Sequence, residues 1–257
     1  MAASLFDSPM FTKAYPVGEA GRLFAESAIM RSMLLVGGTL AKIQGEAGII
    51  PVDSAFFIHR SAMEVQIDPA GLAVEIAEHG HPARALATAF HKAMEAPEHA
   101  QYIHHDVHPK DIERTALILR LRQFLTLCEA QLTKCAPDCE ALAQLPTLRE
   151  TALTVSFETE NTPLRAALAE ALRLGNDPTQ WVDAKPLLAV ADWAALATKT
   201  AIDTSNSDDK RLSVLMALAA NMNTAMRANP AQMADSCLAQ ICLSACSAME
   251  IINAPAR

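Results

Sequence analysis

The sequence predicts an all-α chain of packed helices, and three observations carry that prediction. Of 257 residues, 49 are alanine and half are apolar, yet only 12 are aromatic. Glycine is scarce: nine in all, with Gly175 the only one beyond residue 80. Apolar side chains recur at spacings of three and four, with prolines at the head of the periodic stretches, as buried helical faces demand. Sandwiches and barrels need turn glycines and β-branched or aromatic strands, so this composition argues against them. A mean hydropathy of +0.14 argues against a disordered chain.

A first helix is expected from about Glu19 to Ala47, ending at Gly48, despite Gly37 and Gly38 in its middle. Each of those glycines costs about 1 kcal/mol of helix propensity. Asp53-Ser54 is read as the cap of a second helix reaching Val65, and Asp68-Pro69 as the start of a third. Pro82 opens a fourth, and Pro109 a long helix to about Cys135, where Pro137 stops it. Thr162-Pro163 starts the next, with Gly175 as its left-handed cap, and Asp177-Pro178 and Lys185-Pro186 begin two more. The polar run 203–209 reads as a loop, a helix with Leu212, Leu215, Ala219, Met222 and Met226 on one face follows it, and Pro230 starts the last helix. No internal repeat and no convincing strand is found.

The six cysteines lie on or beside apolar stripes: Cys128, Cys135 and Cys139 on the long helix and after it, Cys237, Cys242 and Cys246 on the last. No Cys-x2-Cys pair is present, so reduced thiols acting as small core hydrophobes are expected. A net charge of −8 without a basic block argues against nucleic acid as a partner. No apolar run is read as a membrane span, which needs about 18 residues. The first twenty residues, with Asp7, Pro9, Lys13 and Glu19, hold no signal-peptide core. A cytoplasmic protein with no membrane partner is the expectation.

All eight histidines fall between positions 59 and 108, three of them in Tyr102-Ile-His-His-Asp-Val-His108-Pro. Imidazole suits proton transfer near neutrality and metal ligation. His104, His105, Asp106 and His108 can be read as metal ligands, with His79 and His81 completing a site, or as a polar loop capping the long helix. Asp111 and Glu113 stand in that helix's first turn, where carboxylates complement the dipole. Ser205, Ser207 and Lys210 can form a substrate loop, or a cap with Asp208 and Asp209.

The N-terminal half resembles the fumarase/aspartase superfamily, and within it the 3-carboxy-cis,cis-muconate cycloisomerase family. The residues that carry the resemblance are Met33-Leu-Leu-Val36, Thr39-Leu-Ala-Lys-Ile-Gln-Gly-Glu-Ala-Gly-Ile-Ile-Pro51, His59 to Gly71, Met94 to His104 and Asp111 to Phe124. The resemblance implies a long-helix bundle, here shortened, with an N-terminal helical region over 1–125 and a diverged central bundle over 126–257. It also implies a homo-oligomer with active sites at subunit junctions, and a reaction that makes or breaks a bond beta to a carboxylate of a small polycarboxylate. No cofactor is implied.

The family's signatures are altered where the chemistry would sit. His104-His-Asp-Val-His-Pro-Lys-Asp111 stands for His-Trp-Gly-Ala-Thr-Ser-Gln-Asp: His104 and Asp111 are kept, Thr115 follows one turn later, and His108-Pro109 replaces the Thr-Ser pair. Gly80-His81-Pro82 stands for Gly-Asn-Pro, and Gly37 for a glutamate usual in the first helix. Val155-Ser-Phe157 is similar to Val-Ser-Phe-Gly-Gly, with Glu158 in place of glycine. Thr204-Ser-Asn-Ser-Asp-Asp-Lys210 stands for the mobile serine–lysine loop. On this resemblance His104, His108 and Ser205 are the catalytic candidates, and His81, His105, Asp111, Thr115 and Lys210 the substrate-binding ones. Three functions stay open: a lyase or cycloisomerase diverged in substrate or reaction; a repurposed enzyme holding metal through His104, His105 and His108; and a non-catalytic binding or regulatory homologue.

Overall fold

The computed structural model describes residues 4–255, and helices dominate it. The first predicted helix is broken: α1 is only Ala20–Leu23, and α2 (Glu26–Glu46) starts afresh after Ala25, whose backbone is extended. Pro51 is likewise extended, so α3 spans Val52–Glu64 and Asp53 is an acidic first-turn residue, not the cap. The Asp68 carboxylate accepts the amide of Ala70 as expected, but the turn it caps is a 3-10 turn, Pro69–Leu72, before α4 (Ala73–His79). Proline-led α5 (Pro82–Met94), α6 (Pro97–Ala100) and α7 (Pro109–Cys135) follow.

Next come α8 (Glu140–Ala152), not read from the sequence because Pro146 lies inside it, and α9 (Thr162–Leu172). Asn161 caps α9 through the Leu164 amide, and its left-handed end is Arg173 at φ 54 in place of the expected Gly175. Gly175 instead accepts the Val155 amide at 3.0 Å in an isolated bridge, Thr154 to Gly175. A 3-10 segment (Pro178–Ala184) leads to α10 (Lys185–Ser205), α11 (Lys210–Ala228) and α12 (Pro230–Asn253).

The contacts divide the chain into two interleaved units. One unit comprises Ala25–Arg120 and Thr154–Thr179, and the other the residues up to Phe24, Leu121–Leu153 and those from Gln180 onward. In the first, α2, α3, α5, the start of α7 and α9 enclose a core of Val36, Leu40, Ile58, Leu86, Ile112 and Leu168.

The glycines within α2 have steric reasons that offset their propensity cost. A Cβ on Gly38 would lie 2.8 Å from that of Ala62, and one on Gly45 only 2.3 Å from that of Ala55, so both let α3 lie close. Gly45→Ala would gain roughly 1 kcal/mol of helix propensity and lose about 1–3 kcal/mol to overpacking. The expected result is a lower urea midpoint, and a midpoint unchanged or raised would show that the contact is not tight.

In the other unit α12 packs against α10 and α11, and α8 against α10. Phe124 meets Phe24 and Trp193 edge to face, and the Trp193 indole N–H donates to the Ala141 carbonyl at 2.8 Å. The cysteines are free thiols. Cys128, Cys237, Cys242 and Cys246 are buried as expected of core hydrophobes, while Cys135 and Cys139 are half-buried. Cys128 and Cys246 touch sulfur to sulfur at 3.6 Å, and burial pushes the Cys128 thiol well above its ordinary range. The absence of a span-length apolar segment expected from sequence needs correction. By length and composition α12 is apolar enough to cross a membrane, but 61% of its apolar window is buried within the fold, as in the core helix of a soluble protein.

Candidate active site

The histidine loop, residues 101–108, joins α6 to α7 and is pinned by α2. The Gln44 side-chain amide donates to the His105 carbonyl at 2.7 Å. Two non-glycine residues take the left-handed conformation, His104 at φ 52 and Asp106 at φ 50. Asp106 falls where the family signature has glycine, and aspartate tolerates that region better than most residues.

The left-handed turn at His104 accompanies an imidazole laid against α2 at Gly37. A Cβ on Gly37 would meet Nε2 of His104 at 2.6 Å and Cδ2 at 2.9 Å. Burial lowers the imidazole's pKa from 6.5 to about 4, so the ring is uncharged at neutral pH. His105 sets its ring across that of Tyr102, centroids 6.0 Å apart.

A second group forms where α5 and α7 begin. His81, the last residue before α5, brings Nδ1 to 3.7 Å from the Glu113 carboxylate, and its ring meets that of His108 edge to face at 5.7 Å. Glu113 also accepts the Ala83 amide at 3.1 Å, which fixes the carboxylate at the helix start. His108 Nδ1 accepts the Lys110 amide at 3.2 Å, leaving its exposed ring with Nε2 toward other partners. A pair of touching imidazoles, one of them beside a carboxylate, can hold a proton and pass it on, or hold an anion when protonated. Sequence reading gave Glu113 only a capping role, and no spacing pattern signals its approach to His81, 32 positions away.

Asp111 and Thr115, expected to bind substrate, face inward and hold the segment after α8. Ser156 donates its hydroxyl to Asp111 at 2.8 Å, and the Glu158 amide donates to the same carboxylate at 3.2 Å. Thr115 donates to the Ser156 carbonyl and accepts the Ser156 amide, both at 3.0 Å.

Ser205 and Lys210 belong to the other unit. Ser205 is the last residue of α10, donating to the Ile202 carbonyl and accepting the Ser207 amide. Asp209 caps α11 through the Arg211 amide, and hydrogen bonds from Arg211 hold its carboxyl below the usual carboxylate range. Lys210 is exposed at the first position of α11. The structure thus gathers His81, His108 and Glu113, sets His104 and His105 on the same loop, and ties the Ser205 loop to itself.

Metal ligation by His104, His105 and His108 lacks geometric support. Among the described residues no three histidine, cysteine or acidic side chains converge in an arrangement able to hold a metal ion. One loop turns these three imidazoles different ways: His104 onto α2, His105 onto Tyr102 and His108 toward His81.

No protein-family model matches the chain. Similarity to characterised proteins is nevertheless found in sequence and in structure. The chain is 32% identical over 139 residues to 3-carboxy-cis,cis-muconate cycloisomerase of Pseudomonas putida, covering 53% of this chain and 32% of that protein. It is 26% identical over 122 residues to N-acetyl-S-(2-succino)cysteine lyase of Enterococcus italicus, covering 48% of this chain and 26% of that one. The chain thus matches only about a third or less of these relatives' length. The crystal structure of 3-carboxy-cis,cis-muconate lactonizing enzyme from Pseudomonas putida superimposes with a TM-score of 0.83 at 19% identity, over 95% of this chain and 75% of that one.

Proposed function

We infer that this chain, similar over about half its length to 3-carboxy-cis,cis-muconate cycloisomerase and alike in fold, is a diverged relative of the fumarase/aspartase superfamily with a lyase or cycloisomerase activity on a small polycarboxylate, altered in substrate or reaction. The observation that carries this reading is the histidine loop: His104 kept and enclosed on α2, with His81, His108 and Glu113 grouped at the starts of α5 and α7.

Making or breaking a bond beta to a carboxylate places negative charge on carboxylate oxygens in the transition state, and fixed donors stabilise it. A neutral His104 can donate an N–H to such an oxygen, as uncharged imidazole does elsewhere, but it is too weak a base to take a proton at neutral pH. Proton transfer then falls to His81 and His108 beside Glu113. Ser205, the catalytic serine that the resemblance implies, and His105 and Lys210, two of its substrate-binding candidates, would meet substrate in an oligomeric assembly. No cofactor enters this reading.

A non-catalytic homologue is the second reading, favoured by the Ser205 loop. Its serines are spent on capping, and Asp208 and Asp209 would repel a polyanion. Turnover decides between the two. Untagged protein is assayed by mass spectrometry with 3-carboxy-cis,cis-muconate, its lactone, N-acetyl-S-(2-succino)cysteine and fumarate plus amines. The expected result is conversion of at least one substrate, reduced about 10²-fold or more in His104→Gln. Silence of the folded protein across the panel would overturn the enzymatic reading.

A further inference from the structure

We propose that Gly37 is a positioning residue for His104: the missing side chain is the seat in which the imidazole lies. Three glycines lie inside α2. Gly38 and Gly45 point their absent Cβ atoms at Ala62 and Ala55, so close contact with α3 accounts for both. Gly37 is different, because the nearest atoms to its absent Cβ are Nε2, Cδ2 and Cε1 of His104, at 2.6, 2.9 and 3.9 Å. Packing against another helix therefore does not explain it, and neither does backbone freedom, since it sits in the middle of a regular helix where glycine is disfavoured.

The other side of the contact is also built for it. Two turns along α2 from Gly37, Gln44 is almost fully buried and holds the His105 carbonyl. His104 itself adopts the left-handed conformation, which costs energy for a residue with a Cβ and aims the ring at the helix. The loop is thus gripped by α2 at one position and seated into it at another. Gly37 sets how deep His104 lies and so how much water the ring keeps. By doing so it fixes the imidazole as a neutral donor and acceptor, with no positive charge to offer a ligand. What that neutral ring does for a ligand rests on the lyase reading above; the seat does not.

The test needs no substrate, so its failure and the failure of the proposed activity are separable. Histidine ring resonances are followed by NMR from pH 8 to pH 5, with His104 assigned by the signal lost in His104→Gln. In the native chain the His104 ring is expected to stay uncharged across that range. In Gly37→Ala the clashing atom is the far end of a side chain, so the ring is expected to leave its seat and titrate near the ordinary value of about 6.5. Gly38→Ala, which meets Ala62, is expected to leave His104 silent.

A folded Gly37→Ala in which His104 stays silent would overturn the proposal. If Gly37→Ala does not fold, the double variant with His104→Ala decides. Recovery of folding supports the seat, and continued failure overturns it.

Discussion

Thr115→Val is expected to lower stability by about 3 kcal/mol, because one hydroxyl serves both backbone groups of Ser156. Thr115 is fully buried, and its hydroxyl donates to the Ser156 carbonyl while accepting the Ser156 amide. Valine keeps the shape and removes both hydrogen bonds, leaving two buried backbone groups unsatisfied at about 1–3 kcal/mol each. That is a large share of a domain's net stability of about 5–15 kcal/mol. In urea the midpoint should fall by about 1 M or more.

Asp111→Ala acts on the same segment, through the Ser156 hydroxyl and the Glu158 amide, so the two losses should not add. The experiment also separates two roles for these residues. If they bound substrate and did not clamp the segment after α8, Thr115→Val would leave the urea midpoint unchanged and raise KM. An unchanged midpoint sinks the clamp.

This clamp marks where sequence reading succeeded and where it could not. Prolines and acidic caps announced most helix starts: Pro82, Pro109, Pro163, Pro186 and Pro230 stand at the heads of their helices, and Asp68 caps as read. Those signals are local, set by a fixed φ and a missing amide, so a single chain displays them. α8 escaped because its internal Pro146 looks like an interruption. The left-handed end of α9 fell on Arg173, where its own carbonyls were already satisfied and Gly175 was committed to the bridge.

For the site, the resemblance marked His104, Asp111 and Thr115, but not which way each would face. Asp111 and Thr115 meet Ser156, 45 and 41 positions on, and His104 meets Gly37, 67 positions back. Contacts at such separations follow from how helices pack, and no periodicity encodes them. The glycines in α2 show the same limit. Propensity scored Gly37 and Gly38 alike, and only the fold shows that one accommodates a helix and the other an imidazole.

Acidification from pH 7 to pH 4 is expected to cost up to about 3 kcal/mol of stability through His104 alone. The ring has a pKa near 6.5 in the unfolded chain and about 4 in the folded one, lowered by burial. Between those values the unfolded state binds a proton that the folded state refuses, so stability rises with pH across that window. The contribution is fully present above pH 6.5, is lost as pH falls toward 4, and declines no further below it. At about 1.4 kcal/mol for each pH unit between the two values, the gap amounts to about 3 kcal/mol. His104 as a whole residue is half-buried, which makes this an upper figure.

Carboxylates also titrate near the bottom of the window, so the effect is read as a difference between chains. Urea unfolding of native protein and of His104→Gln, which cannot be protonated, is compared at pH 7, 6, 5 and 4.5. The native chain should lose stability more steeply than the variant between pH 6.5 and 4.5. Gly37→Ala, if the ring leaves its seat, should follow the shallower course of His104→Gln. Parallel curves for native and His104→Gln would mean that the ring is as well solvated in the folded chain as in the unfolded one. The enclosed, neutral histidine would then have to be given up, and with it the donor role assigned to His104.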